Sequence, residues 1–293
     1  MSPVSRRTFL KTSAAAGAAA GIGSLPLLAE RGAATDWVTL GKSGVKVTRL
    51  AFGAGTHSGR VQEALGQEGF TRLVRHAYDN GIRFFETAES YGNTPQMLGK
   101  ALKGLPRDSY RLMNKVTTTD GIDMRAKLDQ LRRDCDTDYF DIMLLHWQHL
   151  GTWPEDSTRW QDAVLEAQHR QTIVTHGASV HGLPALRRVP ATNWLDVAMI
   201  RMNHKGTVMD NDTDSGNVPQ NVPEVVSHVH EARNAGMGVI SMKLIGEGAF
   251  ERADRQQAMR FAFRNAGVDC VTVGYKNTAE IDEAIENVNL ALA

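Results

Sequence analysis

Eight short apolar runs, alternating with one-faced helical patterns, constrain this chain most. The runs cover residues 47–51, 82–85, 111–113, 140–145, 173–178, 197–201, 239–242 and 270–273. Most are near-continuously apolar, as strands covered on both faces must be. Between them, Phe70, Leu73, Val74, Ala77 and Tyr78 hold the i, i+3, i+4 spacing of an amphipathic helix. So do Met124, Leu128, Leu131 and Cys135, then Trp160, Ala163, Val164 and Ala167, and finally Ile281, Ala284, Ile285 and Val288. Asn80-Gly81 and Ala235-Gly236 read as helix stops leading into strands. Such alternation predicts a parallel α/β fold, and eight units predict a closed (β/α)8 TIM barrel. An open dinucleotide-binding sheet fits less well. Gly53-Ala54-Gly55 follows the first run, but no third glycine comes in register.

The first thirty or so residues read as an address. Ser5-Arg6-Arg7-Thr8-Phe9-Leu10-Lys11 is a twin-arginine pattern, and an Ala/Gly-rich, weakly apolar stretch with Pro26 near its end follows. Ala29 and Gly32-Ala33-Ala34 offer cleavage points. The expectation is a Tat signal peptide over 1–34, a barrel over 35–293, the Tat translocase as partner during export, and a periplasmic protein. That route carries folded proteins, often with cofactor bound. The stretch is rich in small residues and short for a span of about 20 residues, so no stable membrane anchor is expected. Basic and acidic side chains number 33 each, and no basic patch predicts nucleic acid. The two cysteines, Cys135 and Cys270, fall on distant elements and are expected to be free thiols.

The ends of successive strands carry the chemistry. Glu86 and Tyr91 follow the second run, Lys115 the third and His146 the fourth. Strand C-termini of a barrel meet at one rim, where active sites sit. Each residue alone is compatible with a structural role. Together they supply a phenol, an ammonium, a carboxylate and an imidazole, the parts for protonating a carbonyl oxygen while a hydride arrives.

Those residues also carry a resemblance. Leu40-Gly41-Lys42-Ser43-Gly44-Val45, Phe85-Glu86-Thr87-Ala88 with Tyr91-Gly92, Asp141-Ile142-Met143-Leu144-Leu145-His146-Trp147 and Gly177-Ala178-Ser179 together resemble the aldo-keto reductases. Gly238-Val239-Ile240-Ser241-Met242-Lys243 and Val273-Gly274-Tyr275-Lys276-Asn277 look like bacterial members. The resemblance implies a barrel with a nicotinamide cofactor, usually NADP with NAD possible, extended across the rim. It implies hydride transfer between that cofactor and a carbonyl or sugar-like alcohol. Tyr91 would be the proton donor, Lys115 the cation that lowers its pKa, His146 the group that orients the carbonyl, and Glu86 the partner of the lysine. It implies cofactor contacts from Gly53, Ala54, Gly55, Ser179, Met199, Met242, Lys243, Gly274, Lys276 and Asn277. No metal is implied, and a monomer is expected.

Several positions depart from the family pattern. Glu86 stands where the family has aspartate, and its extra methylene shifts the carboxylate by roughly 1.5 Å. Val180 and Met199 stand where amides hold the nicotinamide, and Met242 where an aromatic stacks. Glu280 and Ala284 stand where Gln and Asn hold adenine. The degraded cofactor positions leave open a non-catalytic ligand-binding barrel. Scattered strand-end residues (His57, Glu86, His146, His181 and His204) leave open metal-dependent hydrolysis or lyase chemistry, though none has ligand spacing. Asp210-Asn211-Asp212-Thr213-Asp214-Ser215-Gly216 resembles a calcium loop but lacks Gly at its sixth position and Glu at its twelfth.

Overall fold

A computed structural model of the chain describes residues 32–212 and 221–293. The twin-arginine segment and residues 213–216 of the acidic loop lie outside the described residues. A hairpin opens the fold: β1 (Trp37–Thr39) pairs antiparallel with β2 (Lys46–Thr48). Eight parallel strands follow: β3 (Leu50–Gly53), β4 (Phe84–Glu86), β5 (Arg111–Thr117), β6 (Phe140–Gln148), β7 (Ile173–Val180), β8 (Val197–Arg201), β9 (Gly238–Met242) and β10 (Cys270–Val273). They close into a barrel in sequence order, with β10 pairing β3.

The helices between them are α1 (Arg60–Glu63), α2 (Gly66–Asp79), α3 (Thr94–Leu102), α4 (Met124–Asp134), α5 (Thr158–His169), α6 (Leu183–Leu186), α7 (Val222–Asn234), α8 (Arg252–Arg260) and α9 (Thr278–Leu292). All eight expected strands form. The first needs correction. Val47 and Thr48 belong to the hairpin, and the barrel strand begins at Leu50. Val47 and Thr48 of the hairpin are as buried as Leu50 and Ala51 of the strand, which hides a boundary that falls at the half-buried Arg49.

Alternation along each strand sorts the core into two layers. Phe84, Met113, Ile142, Leu144, Val197, Met199 and Ile240 fill the barrel interior. Leu40 and Val47, from and beside the hairpin, join that inner cluster. Phe85, Leu112, Met143, Leu145, Ala198 and Val239 face outward into the larger layer beneath the helices. Phe70, Leu73, Val74 and Ala77 of α2 bury there, as do Leu128 and Leu131 of α4 and Val164 and Ala167 of α5. Three helices take side-chain caps: Asp123 accepts from Ala126 N–H at 2.9 Å, Asn221 from Glu224 N–H at 3.3 Å, and Asn277 from Glu280 N–H at 3.0 Å. Cys135 and Cys270 are both buried free thiols.

Gly177 on β7 is a point of backbone contact. A Cβ there would lie 1.8 Å from the carbonyl oxygen of Val197 on β8. Gly177→Ala must therefore push two paired barrel strands apart. Overpacking of this kind typically costs about 1–3 kcal/mol. Urea unfolding of the Gly177→Ala protein is expected to show a loss in that range, and unchanged stability would refute the close approach.

Candidate active site

The inward face of three neighbouring strands builds the centre of the site. Glu86 lies two residues beyond Phe84, Lys115 two beyond Met113, and His146 two beyond Leu144. Since side chains alternate, all three point into the barrel above its apolar layers. Lys115 is fully buried and Glu86 nearly so, at 3% exposure. The Lys115 ammonium donates to Glu86 Oε1 and, at 2.9 Å, to the carbonyl oxygen of Thr87. Thr272 Oγ1 donates to Glu86 Oε2 at 3.4 Å. The longer arm of Glu86 thus reaches its lysine. Burial, followed by the Lys243 ammonium, pushes Lys115 well below the usual lysine range. Contact with the carboxylate opposes that shift.

Tyr91 sits in the turn between β4 and α3. Lys115 Nζ lies 4.7 Å from the centre of its ring. The wall behind the ring is Gly55, where a Cβ would stand 2.4 Å from Tyr91 Cε2. Only glycine lets the phenol seat there. Burial pushes the Tyr91 phenol above its ordinary value, Glu247 adds to that, and Arg201 pulls the other way. Burial outweighs the nearby cation, and Tyr91 stays protonated.

His146 meets the Tyr91 ring edge-on at 5.7 Å and 84°. Its Nδ1 lies 3.2 Å from Ser90 Oγ. Burial, then Lys115, Lys243 and Arg201, hold it well below the usual histidine range, so it is neutral. Behind it, His181 shares Nδ1 with Arg201 Nη2 at 2.5 Å and Nε2 with Ser179 Oγ at 2.7 Å. A guanidinium only donates, so His181 Nδ1 accepts and its proton sits on Nε2. Arg201 faces Asp210 at 3.8 Å. Sequence reasoning missed Arg201, whose position at the end of β8 was the available signal.

The strand-end histidines do not converge on a metal. His57 pairs with Glu247 at 3.8 Å and His204 with Asp254 at 3.7 Å. Among the described residues no group of three His, Cys, Asp or Glu side chains is placed to hold a metal ion. Nor is any helix among them long and apolar enough to cross a membrane.

A cleft of about 1020 Å³, open mouth included, runs from Glu86 and Tyr91 to the space between α8 and α9. Seven of the ten residues expected to contact a cofactor, Gly53, Gly55, Met199, Met242, Lys243, Gly274 and Lys276, line it. Ala54, Ser179 and Asn277 do not. Ala54 is buried in the outer core, Ser179 is turned to His181, and Asn277 caps α9. Thr56, Leu244, Glu247, Arg255, Tyr275 and Glu283 also line the cleft and had no sequence signal. The length of the cleft and the soft faces of Met199 and Met242 suit an extended ligand with a flat ring, as a nicotinamide dinucleotide is. Two buried hydroxyls, Ser241 Oγ and Tyr275 Oη, lack hydrogen-bond partners among the described residues, and Tyr275 is part of the cleft wall.

Comparison with known proteins decides the family. The Aldo/keto reductase family model matches residues 49–288. The chain belongs to the aldo/keto reductase family. A twin-arginine translocation signal model matches residues 3–23. L-galactose dehydrogenase of Arabidopsis thaliana is 35% identical over 167 residues, covering 52% of this chain and 51% of that protein. Glycerol 2-dehydrogenase (NADP(+)) of Saccharomyces cerevisiae is 31% identical over 98 residues, 33% of this chain and 29% of that protein. These matches thus span about half or less of each relative's length. An aldo-keto reductase structure from Pseudomonas aeruginosa superposes with TM-score 0.70 at 20% identity, covering 90% of this chain and 98% of that one. The holo form of one from Bacillus halodurans gives 0.67 at 18%, covering 86% and 90%. These two likenesses show the barrel fold.

In this aldo/keto reductase the Glu86–Lys115 pair is the buried electrostatic element of the site. Removing one partner of a buried pair typically costs about 3–5 kcal/mol, because the other is left uncompensated. Glu86→Gln is expected to lower unfolding free energy by that order in chemical denaturation. A loss below about 1 kcal/mol, the scale of an exposed pair, would show the contact to be unimportant.

Proposed function

We propose that this exported oxidoreductase moves a hydride between a nicotinamide cofactor and a carbonyl or alcohol substrate, with Tyr91 as the proton donor. The observation that carries the reading is the seat of Tyr91: over the Lys115–Glu86 pair, edge-on to His146, on the wall of a cleft that runs to the space between α8 and α9. A nicotinamide cofactor held in the cleft would supply the hydride chemistry.

The chain's own residues do the rest. Tyr91 gives its phenolic proton to the carbonyl oxygen, and the product is the alcohol. Burial keeps that proton on Tyr91 until an oxygen with developing negative charge arrives. Lys115, 4.7 Å from the ring centre, then stabilises the phenolate. With the Ser90 hydroxyl as donor to His146 Nδ1, 3.2 Å away, the imidazole carries its proton on Nε2, which orients the same oxygen. Gly53, Gly55, Met199, Met242, Lys243 and Gly274, which line the cleft, would hold the cofactor along it. Lys276, on the cleft wall, would contact its phosphates. The substrate is a small carbonyl or sugar-like compound.

Export completes the reading, with the periplasm as destination and the Tat translocase as transient partner. Ala34 is fully buried, and its N–H donates to Asn289 Oδ1 at 2.7 Å. We place the end of the signal before Gly32, so that Ala34 stays with the barrel.

Two outcomes test these statements. Tyr91→Phe should lower turnover of a nitrobenzaldehyde by at least ~10², with the melting temperature preserved. Activity within a few-fold of the parent would remove Tyr91 from the proton path. Replacing both Arg6 and Arg7 with Lys should leave the full chain in the cytoplasm, as read by cell fractionation. Normal export of that double variant would contradict the twin-arginine route.

A further inference from the structure

The far end of the cleft differs in chemistry from its mouth. Glu280 and Glu283, both on α9, line it. Arg255 of α8 faces them, but its nitrogens are already engaged. Nε donates to Glu283 Oε1 at 2.7 Å, Nη2 to Glu283 Oε2 at 2.9 Å, and Nη1 to the carbonyl oxygen of Phe250 at 2.7 Å. The N-terminus of α9 is closed in the same way. Asn277 Oδ1 accepts from Glu280 N–H at 3.0 Å, and Glu280 Oε2 accepts from Lys276 N–H at 2.7 Å. Backbone donors that would greet a phosphate at a helix start thus already serve the chain's own side chains. Tyr275 is 1% exposed, forms part of the wall, and its hydroxyl has no hydrogen-bond partner among the described residues.

We propose that this end of the cleft selects NAD(H) over NADP(H), with Glu280 and Glu283 accepting the hydroxyls of an unphosphorylated adenosine ribose. The inference rests on the cleft being a dinucleotide site. Carboxylates are acceptors only, so a ribose diol suits them as a donor. A 2′-phosphate is itself all acceptors and carries close to two negative charges. Glu283 is balanced by Arg255, but Glu280 enters no ion pair among the described residues, so a 2′-phosphate set against it meets like charge where it needs cations. The Arg255 guanidinium keeps Glu283 below the usual carboxylate range, so that charge persists at neutral pH. The nearby cation with an exposed side chain is Lys276, which shares a second hollow with His57 and Arg60 at the edge of the cleft. That group suits the cofactor's diphosphate, which NAD and NADP have in common. This parts from the usual NADP preference that the family resemblance implies.

The test is isothermal titration of the purified exported protein with NADH and NADPH. NADH is expected to bind at least ~10-fold more tightly, a difference of about 1.4 kcal/mol. Glu280→Arg should narrow that ratio by a similar factor or reverse it. Because Glu280 also ties the first turn of α9, a second comparison avoids any variant: ADP-ribose should outbind its 2′-phosphate derivative on the parent protein. Tighter or equal binding of NADPH would overturn the inference and leave the dinucleotide site standing. Failure of both nucleotides to bind would overturn the dinucleotide site itself, and this inference with it.

Discussion

The ion pair between Glu86 and Lys115 is the constraint on which the rest of the site depends. An ammonium at 0% exposure survives only with a counter-charge and further acceptors, here Glu86 and the carbonyl oxygen of Thr87. Those partners come from β4 and the residue after it, and the lysine from β5. The pair therefore fixes two adjacent strand ends against each other. It also sets the floor on which Tyr91 rests. A longer acid in place of the family's aspartate is absorbed by this geometry, and the contact is direct.

Strain gathers at the same rim. Trp147, Lys243 and Glu247 all hold positive φ, at 59°, 58° and 54°. For side chains of this size such conformations cost roughly 1–3 kcal/mol each, and they persist where surrounding contacts over-determine them. Lys243 and Glu247 are held by their own ion pair, and Glu247 reaches His57 across the cleft at 3.8 Å. The opposite walls of the cleft are thus joined by side chains. Trp147 follows His146 directly and is 54% exposed, so the rim presents an aromatic face beside the imidazole.

Electrostatics divide the cleft into two environments. Around Tyr91, burial dominates: the phenol is pushed up, and His146 and His181 are pushed down to neutrality. Neutral imidazoles next to a protonated phenol make a site that donates protons and does not compete for them. At the far end the groups stay ionised, because Arg255 and Glu283 meet in a two-point contact with partial access to water. One cleft thus offers hydrogen-bond donors to a substrate oxygen at one end and acceptors at the other.

The sequence alone determined the eight strands, the four most regular helices, the order Glu86, Tyr91, Lys115, His146 and the twin-arginine leader. Periodicity does this, because burial imposes it locally on each strand and helix. Alternation even places Glu86, Lys115 and His146 inward, since each stands two residues past an interior apolar side chain. Other features were decided only when distant segments met. The hairpin boundary at Thr48 was hidden because Val47 and Thr48 are as buried as Leu50 and Ala51 of the barrel strand. Arg201 and His181 became partners, and Arg255 met Glu283, across separations of 20 and 28 residues that carry no local pattern. The direction of the Tyr91 shift belongs to this second group. It follows from how much water the closed barrel excludes and from which charges are already paired, quantities that exist only once the strands have closed.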